Sequence, residues 1–221
     1  EGFDSFYGTL SEFAILALLP SYLEQGDSSL VYMAQSFIEK TKDNGSDFFL
    51  HDFERLNNAV SRLESEYRSY ILLGVSYALL DFLEVFPQKM KSGFIMETGG
   101  MKGRRKEMTK KELHHMLSEN SGGQPIHSEY GMTELLSQAY SVGEGVYRSP
   151  KWMKVLTRST TDPLSLVYNQ RGLLNIIDLA NVNSCSFIAT DDLGVVHQDG
   201  SFEVLGRFDS SEIRGCNLMV E

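Results

Sequence analysis

Residues 70–75 read Tyr70-Ile71-Leu72-Leu73-Gly74-Val75, which is a continuous apolar run. A strand covered on both faces has such a run, because both sets of its alternating side chains are buried. Before this run, apolar residues recur at three- and four-residue steps from Phe53 to Tyr67, which predicts an amphipathic helix. After it, residues 77–86 predict a second helix that ends before Pro87.

The same alternation continues to residue 130. Residues 93–97 predict a second buried strand, and residues 125–130 predict a third. Between them a helix is expected to begin at Thr109, because Thr109 and Glu112 have the spacing of a capping box. Strands that alternate with helices in this way are typical of an α/β layer with parallel strands.

After Pro150 the pattern changes to short strands without helices between them. They are predicted at residues 152–157, 172–178, 186–190, 195–198 and 201–205. The pair Asp199-Gly200 predicts a two-residue hairpin turn between the last two strands. We therefore predict an α/β fold, with a partly parallel sheet and flanking helices followed by a small antiparallel β unit. The expected subdomains are residues 1–150 and residues 151–221.

Composition and charge exclude several classes of function. The 221 residues carry a net charge of -10, which disfavours a broad nucleic-acid surface but leaves a nucleotide possible. Cys185 and Cys216 form neither a disulfide scaffold nor a C-x-x-C metal pair, so we expect a reduced, cytoplasmic protein. No apolar run approaches the roughly 20 residues of a membrane span. The chain begins with Glu1, and we expect an N-terminal part to be missing.

Two glycine-containing segments follow predicted parallel strands, where ligands bind in open α/β sheets. They are Thr98-Gly99-Gly100-Met101-Lys102-Gly103-Arg104-Arg105 and Tyr130-Gly131-Met132-Thr133-Glu134. Glycine lets a backbone approach a ligand closely, an aromatic ring can stack on a base, and hydroxyl and carboxylate groups can reach phosphate and Mg²⁺. The same residue types also fit two ordinary turns.

Three motifs in order resemble those of the adenylate-forming superfamily, which includes acyl-CoA synthetases, peptide-synthetase adenylation domains and firefly luciferase. Residues 130–134 match its Tyr-Gly-x-Thr-Glu motif. Residues 190–194 are similar to Thr-Gly-Asp-Leu-Gly, with Asp191 in place of the glycine, and residues 206–209 match the Gly-Arg-x-Asp hinge motif. From residue types alone, Arg207 and Asp209 also fit a surface ion pair.

The resemblance implies that ATP and Mg²⁺ bind to these motifs. It places Tyr130 against adenine, Thr133 against the α-phosphate and Glu134 on Mg²⁺. It also implies that Asp192 binds the ribose hydroxyls and that Arg207 contacts the nucleotide. The rest of the implied nucleotide-binding set is Gly99, Gly100, Gly131 and Met132.

A narrower resemblance is to the acyl-protein synthetases, a short branch of this superfamily. It is carried by residues 18–24, 97–105, 127–134 and 213–216. It implies that a fatty acid or another carboxylic acid is activated to acyl-AMP and that the acyl group passes to Cys216. Thr133 and Arg207 complete the implied catalytic set. The branch also implies a partner, an acyl-accepting reductase or a carrier protein.

Two departures from the superfamily bear on the function: the first favours a fragment without activity of its own, and the second disfavours ordinary acyl-CoA ligation. Its phosphate loop, rich in Ser, Thr and Gly, is absent from this sequence and is expected before it. Its C-terminal lid with a catalytic lysine is also absent, since the chain ends five residues after Cys216. One alternative is an aryl- or acyl-CoA ligase similar to phenylacetate-CoA ligases. Another is a fragment that binds nucleotide or a partner without catalysis.

Simple structural roles are also possible for several side chains. Glu134 fits the first turn of a helix, and Asp192 fits a turn. Cys185 lies in an apolar stretch and is predicted to be buried and inert. His114 and His115 are expected on a helix surface. The basic cluster Lys102, Arg104, Arg105 and Lys106 fits either a solvated loop or a site for phosphate or a partner.

Overall fold

The computed structural model describes residues 2–20, 28–99, 105 and 108–208. Contacts between Cα atoms divide the chain into two units. The first comprises Glu1–Thr133 and Gln138–Gly145, and the second comprises Glu134–Ser137 and Val146–Glu221. The division into subdomains of residues 1–150 and 151–221, expected from the sequence, remains a prediction.

The first unit contains a six-stranded sheet with helices. Its helices are α1 (Asp4–Tyr7), α2 (Ser29–Thr41), α3 (Phe53–Ser65), α4 (Ser76–Val85) and α5 (Lys110–Asn120), with a 3₁₀ turn at Leu10–Glu12. Its strands are β1 (Ala14–Leu18), β2 (Asp47–Phe48), β3 (Tyr70–Val75), β4 (Gly93–Thr98), β5 (His127–Tyr130) and β6 (Ala139–Ser141). The strand order is β2-β1-β3-β4-β5-β6. Neighbouring strands are parallel except β5 and β6, which confirms the predicted partly parallel sheet.

The predicted apolar run is the central strand β3, and all six of its residues are buried. The helix before it, α3, begins after Asp52, whose carboxylate accepts the Arg55 N–H, and it buries one apolar face. The helix after it, α4, is buried along most of its length. Hydrophobic periodicity and the continuous run therefore predicted these elements correctly, except that α3 ends at Ser65 and Tyr67, predicted on its apolar face, is exposed.

The capping box predicted for α5 is present. Thr109 Oγ1 accepts the Glu112 N–H at 3.2 Å, and Glu112 Oε2 accepts the Thr109 N–H at 2.8 Å. The helix therefore begins at Lys110. As a result Lys110 and His114 lie one turn apart on the same side of α5.

The second unit contains a six-stranded antiparallel sheet. Its strands are β7 (Val146–Tyr147), β8 (Met153–Arg158), β9 (Leu166–Val167), β10 (Gly172–Asp178), β11 (Phe187–Val196) and β12 (Phe202–Arg207), with a 3₁₀ turn at Leu179–Asn181. The strand order is β7-β12-β11-β10-β8-β9, which confirms the predicted antiparallel β unit. None of the helices in the described ranges has the length and apolar character needed to cross a membrane.

Two details of this sheet differ from the prediction. The strands predicted at 186–190 and 195–198 are a single strand, β11, with a register shift at Leu193/Gly194. Polar residues can continue a strand whose sheet has an open face, so Asp191 and Asp192 do not end it. The turn after β11 is also longer than two residues, since the His197 N–H donates to the Ser201 carbonyl at 2.8 Å.

Tyr140 on β6 lies in an aromatic cluster and is 1% exposed. Its ring packs edge-on against Tyr7 with centroids 5.5 Å apart, and it also contacts Phe3 and Phe6. Among the described residues its hydroxyl group has no hydrogen-bond partner. A buried hydroxyl group without a partner lowers the stability of the folded state.

We expect Tyr140→Phe to raise the free energy of unfolding by about 1 kcal/mol, because it removes this unpaired hydroxyl group. The matched control is Tyr70→Phe, which should lower that free energy. The Tyr70 hydroxyl donates to Glu64 Oε1 at 2.8 Å, so its loss leaves Glu64 short of a donor. Denaturant unfolding of both variants makes the measurement. A destabilised Tyr140→Phe protein would contradict the prediction.

Candidate functional site

The two predicted glycine loops begin at the same edge of the first sheet. Strands β4 and β5 are parallel neighbours, with Met96 opposite His127 and Glu97 opposite Ser128. Gly99 follows β4 with a φ of 76°, a conformation that favours glycine. Tyr130 ends β5 and is buried. The structure thus brings Gly99 to the same edge as Tyr130 and Gly131, while Gly100 lies outside the described residues.

The residues after Gly131 form a turn instead of a helix. Met132 is half-buried, whereas Thr133 and Glu134 are exposed. The Thr133 hydroxyl lies 3.1 Å from the Ser29 hydroxyl in the first turn of α2. The helix-start interpretation of Glu134 is therefore wrong, because no helix begins at this residue.

In the second unit, buried polar side chains hold the backbone around Glu134. Asp178 is fully buried, and its Oδ2 accepts the N–H groups of Leu136 at 3.0 Å and Ser137 at 2.9 Å. Asn181 Nδ2 donates to the Glu134 carbonyl at 2.6 Å. These contacts fix the main chain and leave the Glu134 carboxylate exposed. Sequence reasoning missed Asp178 and Asn181, because both act on a segment more than 40 residues away.

The exposed Glu134 carboxylate fits Mg²⁺ as a ligand. The described part of the chain has no group of three or more His, Cys, Asp or Glu side chains that could hold a metal ion. Mg²⁺ is commonly bound by one or two carboxylates together with water and substrate phosphates. A single carboxylate is therefore compatible with Mg²⁺ that arrives with a nucleotide.

Two other predicted nucleotide ligands are direct neighbours in the second sheet. Asp192 on β11 lies opposite Arg207 on β12. Arg207 Nε is 3.7 Å from Asp192 Oδ1, and the side chains are 82% and 17% exposed respectively. Asp192 lies within a strand, so its interpretation as a turn residue is wrong. The proposed hinge residue Asp209 lies outside the described residues.

A buried polar network that the sequence did not reveal surrounds Glu97 on β4, close to the start of the first glycine loop. Glu97 on β4 is 1% exposed. Its carboxylate accepts hydrogen bonds from Ser76 Oγ at 2.9 Å, Ser128 Oγ at 2.9 Å and Lys110 Nζ at 2.8 Å. Burial acts to raise the pKa of Glu97, but the charge and hydrogen bonds of Lys110, with His114 Nε2 3.7 Å from Glu97 Oε2, outweigh it and lower the pKa to about 2. Glu97 is therefore ionised and paired.

His114 belongs to this network, so its prediction as a surface residue is wrong. Its Nε2 lies 3.0 Å from Ser128 Oγ. Because the Ser128 hydroxyl donates to Glu97, it accepts from His114. His115 lies on the solvent side of α5 as predicted, with a side chain that is 72% exposed. The signal available in the sequence was the i, i+4 spacing of Lys110 and His114.

Glu129 and Thr98 form a second buried pair. The Thr98 hydroxyl donates to Glu129 Oε2 at 2.6 Å. Burial raises the pKa of Glu129 to about 7, with a further contribution from the charge of Glu97, although the Thr98 hydrogen bond lowers it. Successive residues of a strand point to opposite faces, so Glu97 and Glu129 project from opposite faces of the sheet.

Arg105, the last residue of the first glycine segment, binds two carboxylates. Its Nε donates to Asp81 Oδ1 at 2.8 Å and its Nη1 donates to Glu84 Oε1 at 2.7 Å, and both carboxylates belong to α4. Within the basic cluster, Arg105 therefore acts as an anchor. Lys102, Arg104 and Lys106 lie outside the described residues.

The predicted burial of Cys185 is wrong. This cysteine is exposed, and its Sγ donates to the Phe187 carbonyl at 3.3 Å. The residue precedes β11, and its apolar neighbours Val182 and Phe187 are themselves exposed. An apolar stretch therefore did not indicate burial here. Cys216 lies outside the described residues.

Comparison with known proteins identifies the family. The pattern of the family described as acyl-protein synthetase, LuxE, matches residues 28–221. This chain belongs to the acyl-protein synthetase family. It is also similar to the long-chain-fatty-acid–luciferin-component ligase of Vibrio harveyi, at 24% identity over 185 residues. That match covers 76% of this chain and 48% of the relative, so the chain spans about half the length of the curated relative it matches.

Solved structures have the same fold as this acyl-protein synthetase chain. ATP-bound MatB from Rhodopseudomonas palustris matches with a TM-score of 0.67 at 15% identity, over 92% of this chain and 42% of MatB. The o-succinylbenzoate coenzyme A synthetase MenE of Bacillus subtilis, in complex with ATP and magnesium ion, matches with a TM-score of 0.59 at 19% identity. That match covers 92% of this chain and 43% of MenE. These similarities confirm the predicted fold class.

The raised pKa of Glu129 leads to a prediction about pH and stability. A carboxyl group whose pKa rises on folding stabilises the folded state below its unfolded pKa of about 4.5, and the contribution is lost as pH rises through about 7. We expect wild type to lose about 2–3 kcal/mol relative to Glu129→Gln between about pH 5 and about pH 8, since glutamine carries no charge at any pH. Urea unfolding of both proteins from about pH 5 to about pH 8 makes the comparison. Parallel stability curves would refute the prediction.

Proposed function

We propose that the complete protein activates a fatty acid or another carboxylic acid with ATP and transfers the acyl group to the Cys216 thiol. Both glycine loops begin at the carboxyl ends of the neighbouring parallel strands β4 and β5, and this observation carries the proposal. Ligands bind at this edge in α/β sheets, and the second loop carries the Tyr-Gly-x-Thr-Glu motif. Membership of the acyl-protein synthetase family supports the same reaction class.

In the first step a substrate carboxylate oxygen forms a bond to the α-phosphorus of ATP, and the bond to pyrophosphate breaks. Thr133 has an exposed hydroxyl group that would donate to an α-phosphate oxygen. The guanidinium group of Arg207 would offset negative charge that develops at the phosphate. Mg²⁺ held by Glu134 would supply further neutralisation of the phosphate oxygens.

The remaining nucleotide contacts follow from the motifs. Tyr130, with Gly131 and Met132, would form the surface for adenine, and Gly99 and Gly100 would allow close approach of the first loop. Asp192 would accept hydrogen bonds from the ribose hydroxyl groups. The pairing of β11 with β12 places Asp192 opposite Arg207, whose Nε lies 3.7 Å from Asp192 Oδ1.

In the second step the Cys216 thiolate forms a bond to the acyl carbonyl carbon, and the bond from this carbon to AMP breaks. The products are a thioester on the protein and free AMP, with the thiol proton released to solvent. An acyl-accepting reductase or a carrier protein would then take the acyl group. The cytoplasmic location expected from the sequence remains a prediction.

The first prediction of this proposal is that Cys216, and not Cys185, carries the acyl group. Because Cys185 is exposed, its accessibility does not exclude it, and Cys185→Ser is the necessary control. We expect Cys216→Ser to abolish the hydroxylamine-sensitive adduct formed with labelled fatty acid and ATP, while acyl-AMP still forms. Cys185→Ser should load normally. Intact-protein mass spectrometry of the complete protein measures both.

Other outcomes of the same experiment identify the alternatives. Acyl transfer to coenzyme A with no adduct at Cys216 would identify a CoA ligase similar to phenylacetate-CoA ligases. ATP binding without acyl-AMP formation would identify a non-catalytic nucleotide-binding protein. Loading that requires Cys185 would place the acyl acceptor in the segment before β11.

A second prediction concerns Glu134. We expect Glu134→Gln to reduce acid-dependent pyrophosphate exchange by about a hundredfold, because the amide keeps the shape but removes the charge that binds Mg²⁺. Glu144→Gln is the matched control, since Glu144 is also exposed and lies in the turn between β6 and β7. The control should exchange at the wild-type rate. Similar rates for both variants at equal melting temperature would remove Glu134 from the metal site.

A further inference from the structure

The Thr98–Glu129 contact lies at the ends of β4 and β5, where the two glycine loops begin. Backbone pairing of β4 with β5 runs from Met96 opposite His127 to Glu97 opposite Ser128. Thr98 and Glu129 are the next residues on each strand, and they meet through a side-chain hydrogen bond of 2.6 Å. A side-chain hydrogen bond therefore joins the two strands one residue beyond the last backbone pair, Glu97 with Ser128.

The other oxygen of the same carboxyl group lies against the second loop. A Cβ atom at position 131 would be 2.5 Å from Glu129 Oε1, so the carboxyl group occupies the space that a side chain at Gly131 would need. The Glu129 carboxyl group consequently touches both loops. It binds Thr98, the residue before Gly99, and packs against Gly131, the residue after Tyr130.

We propose that Glu129 is the positioning residue that sets the spacing between the two glycine loops, through Thr98 on one side and Gly131 on the other. This inference rests on the proposed function, because that function assigns ATP to these loops. Glu129 would act on ATP through the loops and would make no contact with it. A change in the carboxyl group should therefore alter nucleotide affinity more than the chemical step.

The groups around Glu129 also make nucleotide binding depend on whether its carboxyl group is ionised. Its direct partner Thr98 is neutral, whereas Glu97 is paired with Lys110. The titratable and charged groups around it are Glu97 of β4, Lys110 of α5 and Tyr140 of β6, with Tyr7 and Asp4 of α1 acting on Tyr140. Ionised Glu129 adds a negative charge beside the loops, which disfavours a nucleotide polyanion. The pKa of about 7 places this change in the neutral range.

The experiment measures KM for ATP and kcat of pyrophosphate exchange in the complete protein. We expect Thr98→Val to raise KM for ATP about fivefold with kcat within about twofold, and Thr98→Ser to restore KM by returning the hydroxyl group.

For wild type, KM for ATP should rise about tenfold from about pH 6 to about pH 8, whereas Glu129→Gln should remove this pH dependence. The matched control is Thr157→Val, since buried Thr157 accepts the Val196 N–H at 3.1 Å in the second unit. It should leave KM unchanged.

Hydrogen exchange without ATP provides a measurement that does not depend on the proposed function. Thr98→Val should accelerate exchange at residues 127–133 as well as in its own segment, and Thr157→Val should accelerate neither. Acceleration confined to the segment of Thr98, or an unchanged KM in Thr98→Val, would overturn the proposal. So would a wild-type pH profile in Glu129→Gln. Wild-type protein that neither binds ATP nor exchanges pyrophosphate would refute the proposed function, while hydrogen exchange would still decide whether Glu129 couples the loops.

Discussion

The parallel pairing of β4 with β5 is the constraint on which the first unit depends. Because the strands are parallel neighbours in a register that places Glu97 opposite Ser128, both glycine loops leave the sheet at one edge. The alternation of side chains then sends Glu97 to one face and Glu129 to the other. A parallel sheet is covered on both faces, so both carboxyl groups are buried and each needs a partner inside the protein.

The two carboxyl groups meet this requirement in different ways. Glu97 is ionised, because Lys110 and three further polar side chains surround it. Removing Lys110 would leave the buried Glu97 charge without its ion-pair partner, and the loss of one member of a buried ion pair commonly costs about 3–5 kcal/mol. Glu129 has a neutral partner, and burial raises its pKa. Near the end of β4, Glu97 thus forms a permanent ion pair with Lys110. Near the end of β5, the charge of Glu129 changes near neutral pH.

The second unit positions its candidate residues by antiparallel register and by one buried carboxylate. The pairing of β11 with β12 places Asp192 opposite Arg207, although the two belong to separate sequence motifs. Gly194 allows this pairing, because a Cβ there would collide with the Glu203 carbonyl and with Leu174. Asp178 binds the main chain after Glu134 and leaves the Glu134 side chain exposed.

The sequence by itself determined the features that depend on neighbouring residues: the buried strand at Tyr70–Val75, the capping box of α5 and the order of the motifs. The strand and the capping box were predicted correctly because hydrophobic periodicity and capping depend on neighbouring residues. Tertiary structure alone decided that His114 faces a buried carboxylate and that Cys185 is exposed. It also decided that Glu129 joins two loops. Burial and the pKa of a carboxyl group depend on which distant segments pack around a residue, and no local pattern contains that information.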